Sequence, residues 1–341
     1  MSVLYIGLPA SAGDWLQIGY QDFAASLGDQ LPHRIYDFDR SPEEQFGGVE
    51  MVVEAGGSFA TSAMIDVASR NGIRFWQIVG TGIDHVDVAR FHDRGIQLAN
   101  LPGLFSSVAL AEHAFFGMLF FARLYRNTQR ALQSRILCDP VGEELNGKNL
   151  SIIGFGASGR ELARRASAFG MRIFAMDLER PAPETLEGLT ESFAGAREDL
   201  DFLLEKGDYI SLHVPLNSST RHLIDREGLA RMKPTTVLIN VARSEVVEEK
   251  ALVDALQRRA IRGAVLDVFS EEPVDPGHPL LRMENVLATP HTAGVTSGTS
   301  RRRAAAAVEN ILRVYNGQEP LYLVNGLPGM AAAGREGNGS R

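Results

Sequence analysis

Short apolar runs recur along the first hundred residues, each of strand length and each followed by a polar or amphipathic stretch. They lie at 3–7, 34–38, 50–53, 74–79 and 96–99, with segments such as 61–71 between them. Strand-sized runs alternating with helical patterns predict βαβ units, and therefore a parallel sheet with helices on its faces. The rhythm resumes at 150, with apolar runs at 150–153, 173–176, 208–213, 237–240, 263–267 and 286–288. Helical patterns fall at 200–206 and 248–259. Six strands from 150 onward is the number expected of a doubly wound dinucleotide domain. A helix over 300–315 and a strand over 321–324 complete the pattern, and residues 329–341 are small and polar enough for a flexible tail.

One helical stretch breaks the amphipathic rule. Residues 106–126, SSVALAEHAFFGMLFFARLYR, spread Phe115, Phe116, Phe120 and Phe121 around the helix circumference. A helix that is apolar on nearly every face needs cover on every face. It is either wholly buried in a core or placed partly in a subunit interface. Glu112, His113 and Arg123 within it argue against a membrane span. A polar helix over 127–137 follows.

Bulk properties narrow the choice of function. A chain of 341 residues suits two domains, and 45% hydrophobic content supports two cores. The net charge of −8 and the lack of basic clusters, Arg301-Arg302-Arg303 apart, argue against a nucleic-acid partner. The single cysteine, Cys138, excludes a disulfide framework and fits a reducing cytoplasm. The opening MSVLYIGLPA reads as a strand start and has neither the basic region nor the long apolar run of a secretory leader.

Residues 150–177 carry the clearest chemical signal: LSIIGFGASGRELARRASAFGMRIFAMD. An apolar strand runs into Gly154-Phe155-Gly156-Ala157-Ser158-Gly159, then a helical pattern stopped by Gly170, then a second strand ending on Asp177. Strand, G-x-G-x-x-G turn, helix, strand and acid make the dinucleotide-binding fingerprint in its required context. Gly154 permits the tight turn, Gly156 lets backbone approach a pyrophosphate, and Gly159 lets helix pack on strand. The helix N-terminus at Ala157 and Ser158 offers N–H groups to the phosphates. Asp177 can accept both ribose hydroxyls of an adenosine and would repel a 2′-phosphate, which favours NAD over NADP. Arg180 nearby tempers that preference.

Ligands of doubly wound sheets bind beyond the carboxyl ends of the strands. The chemically capable residues at those ends are His213, Arg243 (after Val241 and Ala242), Asp267, Glu272 and His291, with Gly294 just beyond. Histidine suits proton donation near neutral pH, and a carboxylate on its far nitrogen, a part Glu272 can play for His291, fixes its tautomer. Arginine binds a carboxylate through two parallel N–H donors. Taken singly, each also has an ordinary structural use as an ion-pair partner, solvated loop residue or cap. Together, Arg243, Glu272 and His291 describe a reductase for 2-oxo acids.

The chain resembles the D-isomer-specific 2-hydroxyacid dehydrogenase family. The resemblance rests on QIVGTGIDHVDVARFHDRGIQLANLPG, ALAEHAFFGML, the 150–177 stretch, DYISLHVPLNSSTRHLI, LINVARSEVVEEKALVDAL, GAVLDVFSEEP and NVLATPHTAG, and reaches to about residue 326. It implies a Rossmann sheet inserted in a second, flavodoxin-like α/β domain: 1–99 with 294–328 as a discontinuous substrate domain, and 100–293 as the NAD-binding domain. It implies a cleft active site with the triad Arg243, Glu272 and His291, Asp267 near the nicotinamide carboxamide, and backbone at Thr81 and Gly82 on the substrate carboxylate. It implies a homodimer built through the cofactor domain, which would cover the phenylalanine-rich helix.

The chain departs from the family pattern in places. Ser244 stands where glycine usually follows the arginine, and the loop at 103–111 is one residue longer than usual. The loop EAGGS at 54–58 lacks the basic residues that phosphoglycerate-specific members place there, so an unphosphorylated substrate is expected. Asp84-His85-Val86-Asp87 has the look of a metal cluster, but helix capping is its expected use, and no metal site is predicted. Two other functions remain open on the same fold: a phosphite-type dehydrogenase, and a non-catalytic NAD-sensing protein. Glu272 argues against formate oxidation, because the formate enzymes of this superfamily carry glutamine in that place.

Overall fold

The computed structural model describes residues 2–7, 15–56, 59–178, 182, 192–194 and 199–327, so the 329–341 segment lies outside the described residues. The chain divides into two compact units, Met1–Phe105 with Ser297–Arg341, and Ser106–Thr296.

The first unit holds a parallel five-stranded sheet of β1 (Val3–Ile6), β2 (His33–Ile35), β3 (Met51–Glu54), β4 (Phe75–Ile78) and β5 (Gln97–Ala99). Its order, β2-β1-β3-β4-β5, is that of flavodoxin-like sheets. β1, β3 and β4 are buried at every position, as near-continuous apolar strands covered on both faces should be. Side chains alternate between two cores. Leu4, Ile6, Val52, Trp76 and Ile78 meet Phe46, Ile65 and Phe91 on one face. Val3, Tyr5, Met51, Val53 and Phe75 meet Phe23 and Leu27 on the other, with Ala304, Ala307 and Ile311 of the long helix Ser297–Tyr315. That helix returns from the far end of the sequence and is tied in by a buried polar link, Asn310 Nδ2 donating to Gln77 Oε1 at 2.7 Å.

Two expected strands change. The 34–38 run stops at Ile35, because the Gln45 side chain takes up both the N–H and the carbonyl of Asp37 and turns the chain. The expected strand at 321–324 is reduced to an isolated antiparallel bridge between Leu323 and Ala99. There the Asn325 side chain occupies the edge of β5, accepting from Leu98 N and donating to Ile96 O, where a longer strand would have paired.

Glu54, at the end of β3, is fully buried. It accepts from Phe59 N at 2.6 Å and from the Trp76 indole at 2.8 Å. Burial nevertheless pushes its pKa up to about 7, outweighing these donors and the N–H of Ala60. The folded chain therefore holds a proton that the unfolded chain releases at about 4.5. Its contribution to stability is complete below that value and is lost as pH rises through about 7. Glu54→Gln is thus expected to cost roughly 1–3 kcal/mol more, relative to wild type, at low pH than at high pH. Denaturant titrations on both sides of the transition check this, and a pH-independent difference would refute it.

The second unit holds a parallel seven-stranded sheet, one strand more than the apolar runs predict. Its strands are β6 (Asn149–Ile153), β7 (Arg172–Met176), β8 (Ser192–Ala194), β9 (Tyr209–Leu212), β10 (Val237–Asn240), β11 (Gly263–Leu266) and β12 (Val286–Ala288). The order β12-β11-β10-β9-β6-β7-β8 is doubly wound, with its switch point between β6 and β9. The extra strand, β8, is only three residues long and pairs with β7 at the sheet edge. So short a strand leaves no periodicity to read.

The phenylalanine-rich helix is Ser107–Ala122. Phe115 and Phe121 are buried in the core with Met118, against Leu150, Ile152, Val237 and Val265 of the sheet. Phe116 is half exposed. The core therefore covers much of this helix but not its whole circumference. No single helix among the described residues is long and apolar enough to cross a membrane.

Candidate active site

At the switch point the glycine turn and the end of β9 meet. Gly154 has φ 95°, and a Cβ there would sit 2.6 Å from the His213 carbonyl. A Cβ on Gly159 would lie 2.2 Å from Gly154 O. Both positions therefore demand glycine on steric grounds alone. Gly156 differs, because its missing Cβ faces open space. It is the N-cap of the helix Ala157–Ala168 and offers no side-chain acceptor to it. The first N–H groups of that helix, at Ala157, Ser158 and Gly159, thus have no side-chain cap, which suits an anion such as a pyrophosphate.

Asp177 stands beside this turn. Its Oδ2 accepts from Phe155 N, inside the glycine motif, and its Oδ1 from Leu178 N, both at 2.7 Å. Each oxygen keeps acceptor capacity for a ribose hydroxyl. Arg180 lies outside the described residues. His213 is held between two serines, Nε2 to Ser211 Oγ at 2.9 Å and Nδ1 to Ser158 Oγ at 3.0 Å. Burial drops its pKa to about 4, so it is a neutral wall of the turn and no acid–base group at pH 7. The residues present fit a dinucleotide.

The triad candidates come from three other strand ends. Arg243 follows β10 through a tight turn organised by Asn240. This buried side chain accepts from Ala242 N at 3.0 Å and donates to Arg243 O at 2.9 Å. Sequence reasoning passed over Asn240. Its signal was present, since Asn at a strand end favours side-chain-to-backbone turns. Val241, between them, is buried, and Arg243 Nη1 donates to Ala242 O.

Glu272 and His291 are paired, with His291 Nδ1 2.7 Å from Glu272 Oε2. The other Glu272 oxygen accepts from Phe269 N at 2.9 Å. Burial would raise the Glu272 carboxyl. The hydrogen bond and charge of His291, the Phe269 N–H and the charge of Arg243 outweigh it and hold it below the usual range. Glu272 is therefore a carboxylate at neutral pH, and its sensitivity to Arg243 places all three side chains in one electrostatic neighbourhood. With Nδ1 committed to Glu272, the half-exposed imidazole has Nε2 for a reactant. His291 adopts φ 55°, left-handed backbone.

Asp267 is almost fully buried and acts as a clamp. Its Oδ1 accepts from Thr289 Oγ1 at 2.6 Å and Thr292 N at 2.8 Å, and its Oδ2 from Ala293 N at 2.8 Å. A carboxylate has about four acceptor sites. Three are filled here, which leaves room for one further donor. Gly294 follows, packed near Leu110.

The remaining candidates lie elsewhere or do other work. Thr81 and Gly82 are in the first unit, on the turn after β4, where Asn100 Nδ2 donates to Thr81 O at 2.9 Å. Asp87 caps the helix Val88–Asp93, accepting from Arg90 N and from Ser62 Oγ. Glu112 and His113, adjacent in sequence, part company: Glu112 pairs with Arg165, and His113 bonds Thr289.

The chain is similar to known proteins over most of its length. The family model described as "D-isomer specific 2-hydroxyacid dehydrogenase, NAD binding domain" matches residues 115–293. A glyoxylate reductase of Korarchaeum cryptofilum is 38% identical over 250 residues, 72% of this chain and 74% of the relative. An (S)-sulfolactate dehydrogenase of Chromohalobacter salexigens is 40% identical over 237 residues, 69% of this chain and 75% of the relative. The solved D-lactate dehydrogenase of Aquifex aeolicus, in complex with NAD and lactic acid, superposes with a TM-score of 0.79 at 27% identity, covering 95% of this chain and 99% of that one. This chain belongs to the D-isomer-specific 2-hydroxyacid dehydrogenase family and is an NAD-binding oxidoreductase.

Proposed function

We propose that this enzyme interconverts a small, unphosphorylated 2-oxo acid and its D-2-hydroxy acid with NAD(H), using His291 as the acid–base group. The observation that carries the reading is the 2.7 Å His291–Glu272 pair, in the same sheet unit as an uncapped, glycine-lined helix N-terminus. The carbonyl carbon would accept a hydride from NADH bound at the glycine turn. His291 gives its Nε2 proton to the carbonyl oxygen and ends neutral; in the reverse direction it takes the proton back. Glu272 stabilises the imidazolium before transfer and fixes the ring so that Nε2 faces the reactant. Arg243 holds the substrate carboxylate through paired N–H donors and polarises the neighbouring carbonyl. Backbone N–H groups at Thr81 and Gly82 add to the anion's partners. Asp267 would hold the carboxamide through its spare acceptor capacity, and Asp177 would hold the ribose.

The preference for NAD over NADP rests on Asp177, whose carboxylate repels a 2′-phosphate. The homodimer reading rests on an apolar surface. Phe116, Tyr125, Leu132, Ile136 and Leu137 are all at least half exposed. They lie on or just after the helices Ser107–Ala122 and Tyr125–Gln133. A monomer in sedimentation equilibrium would refute it. The sole cysteine, Cys138, supports action in the cytoplasm.

The deciding experiment follows NADH oxidation against a panel of 2-oxo acids, phosphorylated and not. Turnover is expected with glyoxylate- or hydroxypyruvate-sized acids, with a lower KM for NADH than for NADPH. No turnover of any acid would sink the reading in favour of a non-catalytic NAD-binding protein. A lower KM for NADPH would overturn the role of Asp177.

A further inference from the structure

His291 does not hold its left-handed backbone by itself. For a non-glycine residue that conformation costs roughly 1–2 kcal/mol, so the surroundings must impose it. Asp267 does so by accepting three consecutive N–H groups: His291 N on its carbonyl at 2.9 Å, then Thr292 N and Ala293 N on its carboxylate. The clamp works only while the carboxylate keeps its orientation, and one side chain, Thr289, fixes that from behind.

The hydrogen-bond direction along this chain follows from donor inventory. The Thr289 hydroxyl donates to Asp267 Oδ1 at 2.6 Å. The Thr289 oxygen is then the acceptor in its 3.0 Å contact with His113 Nε2, which must carry the proton. His113 sits on the helix Ser107–Ala122, and its ring is largely buried. Burial lowers its pKa, against a smaller opposing effect of Asp267, so it is neutral at pH 7. Neutral imidazole with its proton on Nε2 is the form this chain requires.

We propose that Thr289 and His113 are positioning residues that act in series through Asp267 to hold the turn carrying His291. His113 orients Thr289, Thr289 orients the Asp267 carboxylate, and that carboxylate sets the turn. The inference rests on the reading of His291 as the proton donor.

The test separates the hydroxyl of Thr289 from its methyl group. Thr289→Val keeps the volume and removes the donor, whereas Thr289→Ser keeps the donor and removes the methyl. The valine variant is expected to lose roughly ten- to a hundredfold in kcat, as for one hydrogen bond to a charged group, while the serine variant stays within about threefold of wild type. The reverse order would show a packing role and overturn the proposal. A second readout needs no activity. In nitrogen–proton correlation spectra of the protein without cofactor, His113 should show the Nε2–H form in wild type and Thr289→Ser. In Thr289→Val both the His113 and the His291 ring signals should move. An Nδ1–H form for His113, or a His291 signal unmoved in Thr289→Val, would overturn the relay. His113→Gln, which retains a donor near the Nε2 position, should resemble wild type in its His291 signal more than His113→Leu does. If wild type turned over no 2-oxo acid, the functional reading would fail, but the spectra would still decide whether the relay exists.

Discussion

Replacing His291 with alanine is expected to lower kcat for 2-oxo acid reduction about 10²–10⁴-fold, the usual worth of a positioned acid–base group, with little change in NADH affinity. The reason is local. His291 Nδ1 is taken by Glu272 at 2.7 Å, so the imidazole has one nitrogen for proton transfer and a fixed orientation for it. Alanine also enters left-handed backbone, since φ is 55° there. Histidine is itself several-fold more tolerant of that conformation than alanine, so the exchange lowers stability by about 1 kcal/mol or less and would blur the interpretation. His291→Asn removes the complication, because asparagine tolerates this conformation several-fold better than most residues. Both variants should lose activity alike, but only the alanine variant should melt earlier. Steady-state kinetics beside thermal melts decide the matter. Activity of His291→Asn near the wild-type level would remove His291 from the mechanism.

Arg243→Ala is expected to reduce kcat/KM by about 10²–10⁴-fold, because two hydrogen bonds to a charged group contribute roughly 1.5–3 kcal/mol each. KM should rise and kcat should fall together, since the same guanidinium binds the carboxylate and polarises the carbonyl. Arg243→Lys keeps the charge but loses the planar fork, and should fall between. The backbone turn is not the cause of either loss. Asn240 holds the carbonyl of residue 243 and the N–H of Ala242 whatever side chain stands at 243. Wild type should strongly prefer a 2-oxo acid to its amide, whereas Arg243→Ala should discriminate far less. Equal discrimination by both enzymes would show that Arg243 does not touch the carboxylate. Arg243 also helps to keep Glu272 ionised, so the acid limb of the pH profile should move upward in the alanine variant.

Legibility followed the range of the signal. Strands buried on both faces, such as Val3–Ile6 and Val237–Asn240, announced themselves as apolar runs within a residue or two of their ends. Gly159 and Asp177 were readable because each answers a demand made within one βαβ unit, and Gly154 because the turn itself needs its positive φ, although the His213 carbonyl also closes on it from β9. The ends of strands were less secure where a distant side chain intervened. Gln45 cut one strand short at Ile35, and Asn325 displaced another at the edge of β5. The three-residue β8 gave no pattern at all.

The site was legible as a set of places and one pairing, Glu272 with His291, but not as a network of supports. That ligands bind beyond carboxyl strand ends pointed to Arg243, Asp267, Glu272 and His291, which is a rule of topology. It said nothing of Asn240 beneath Arg243. It did not link His113 to Thr289, 176 residues away. Sequence alone determined the backbone demands of this protein: where strands run, where only glycine fits, and which chemical groups arrive at strand ends. Those follow from interactions between residues close along the chain. Tertiary structure decided which further groups meet, namely that Asp267 clamps three N–H groups and that His113 turns from its neighbour Glu112 toward Thr289. Such pairings depend on distances between side chains from separate strands and helices, and only the packing of the sheet and its helices sets those.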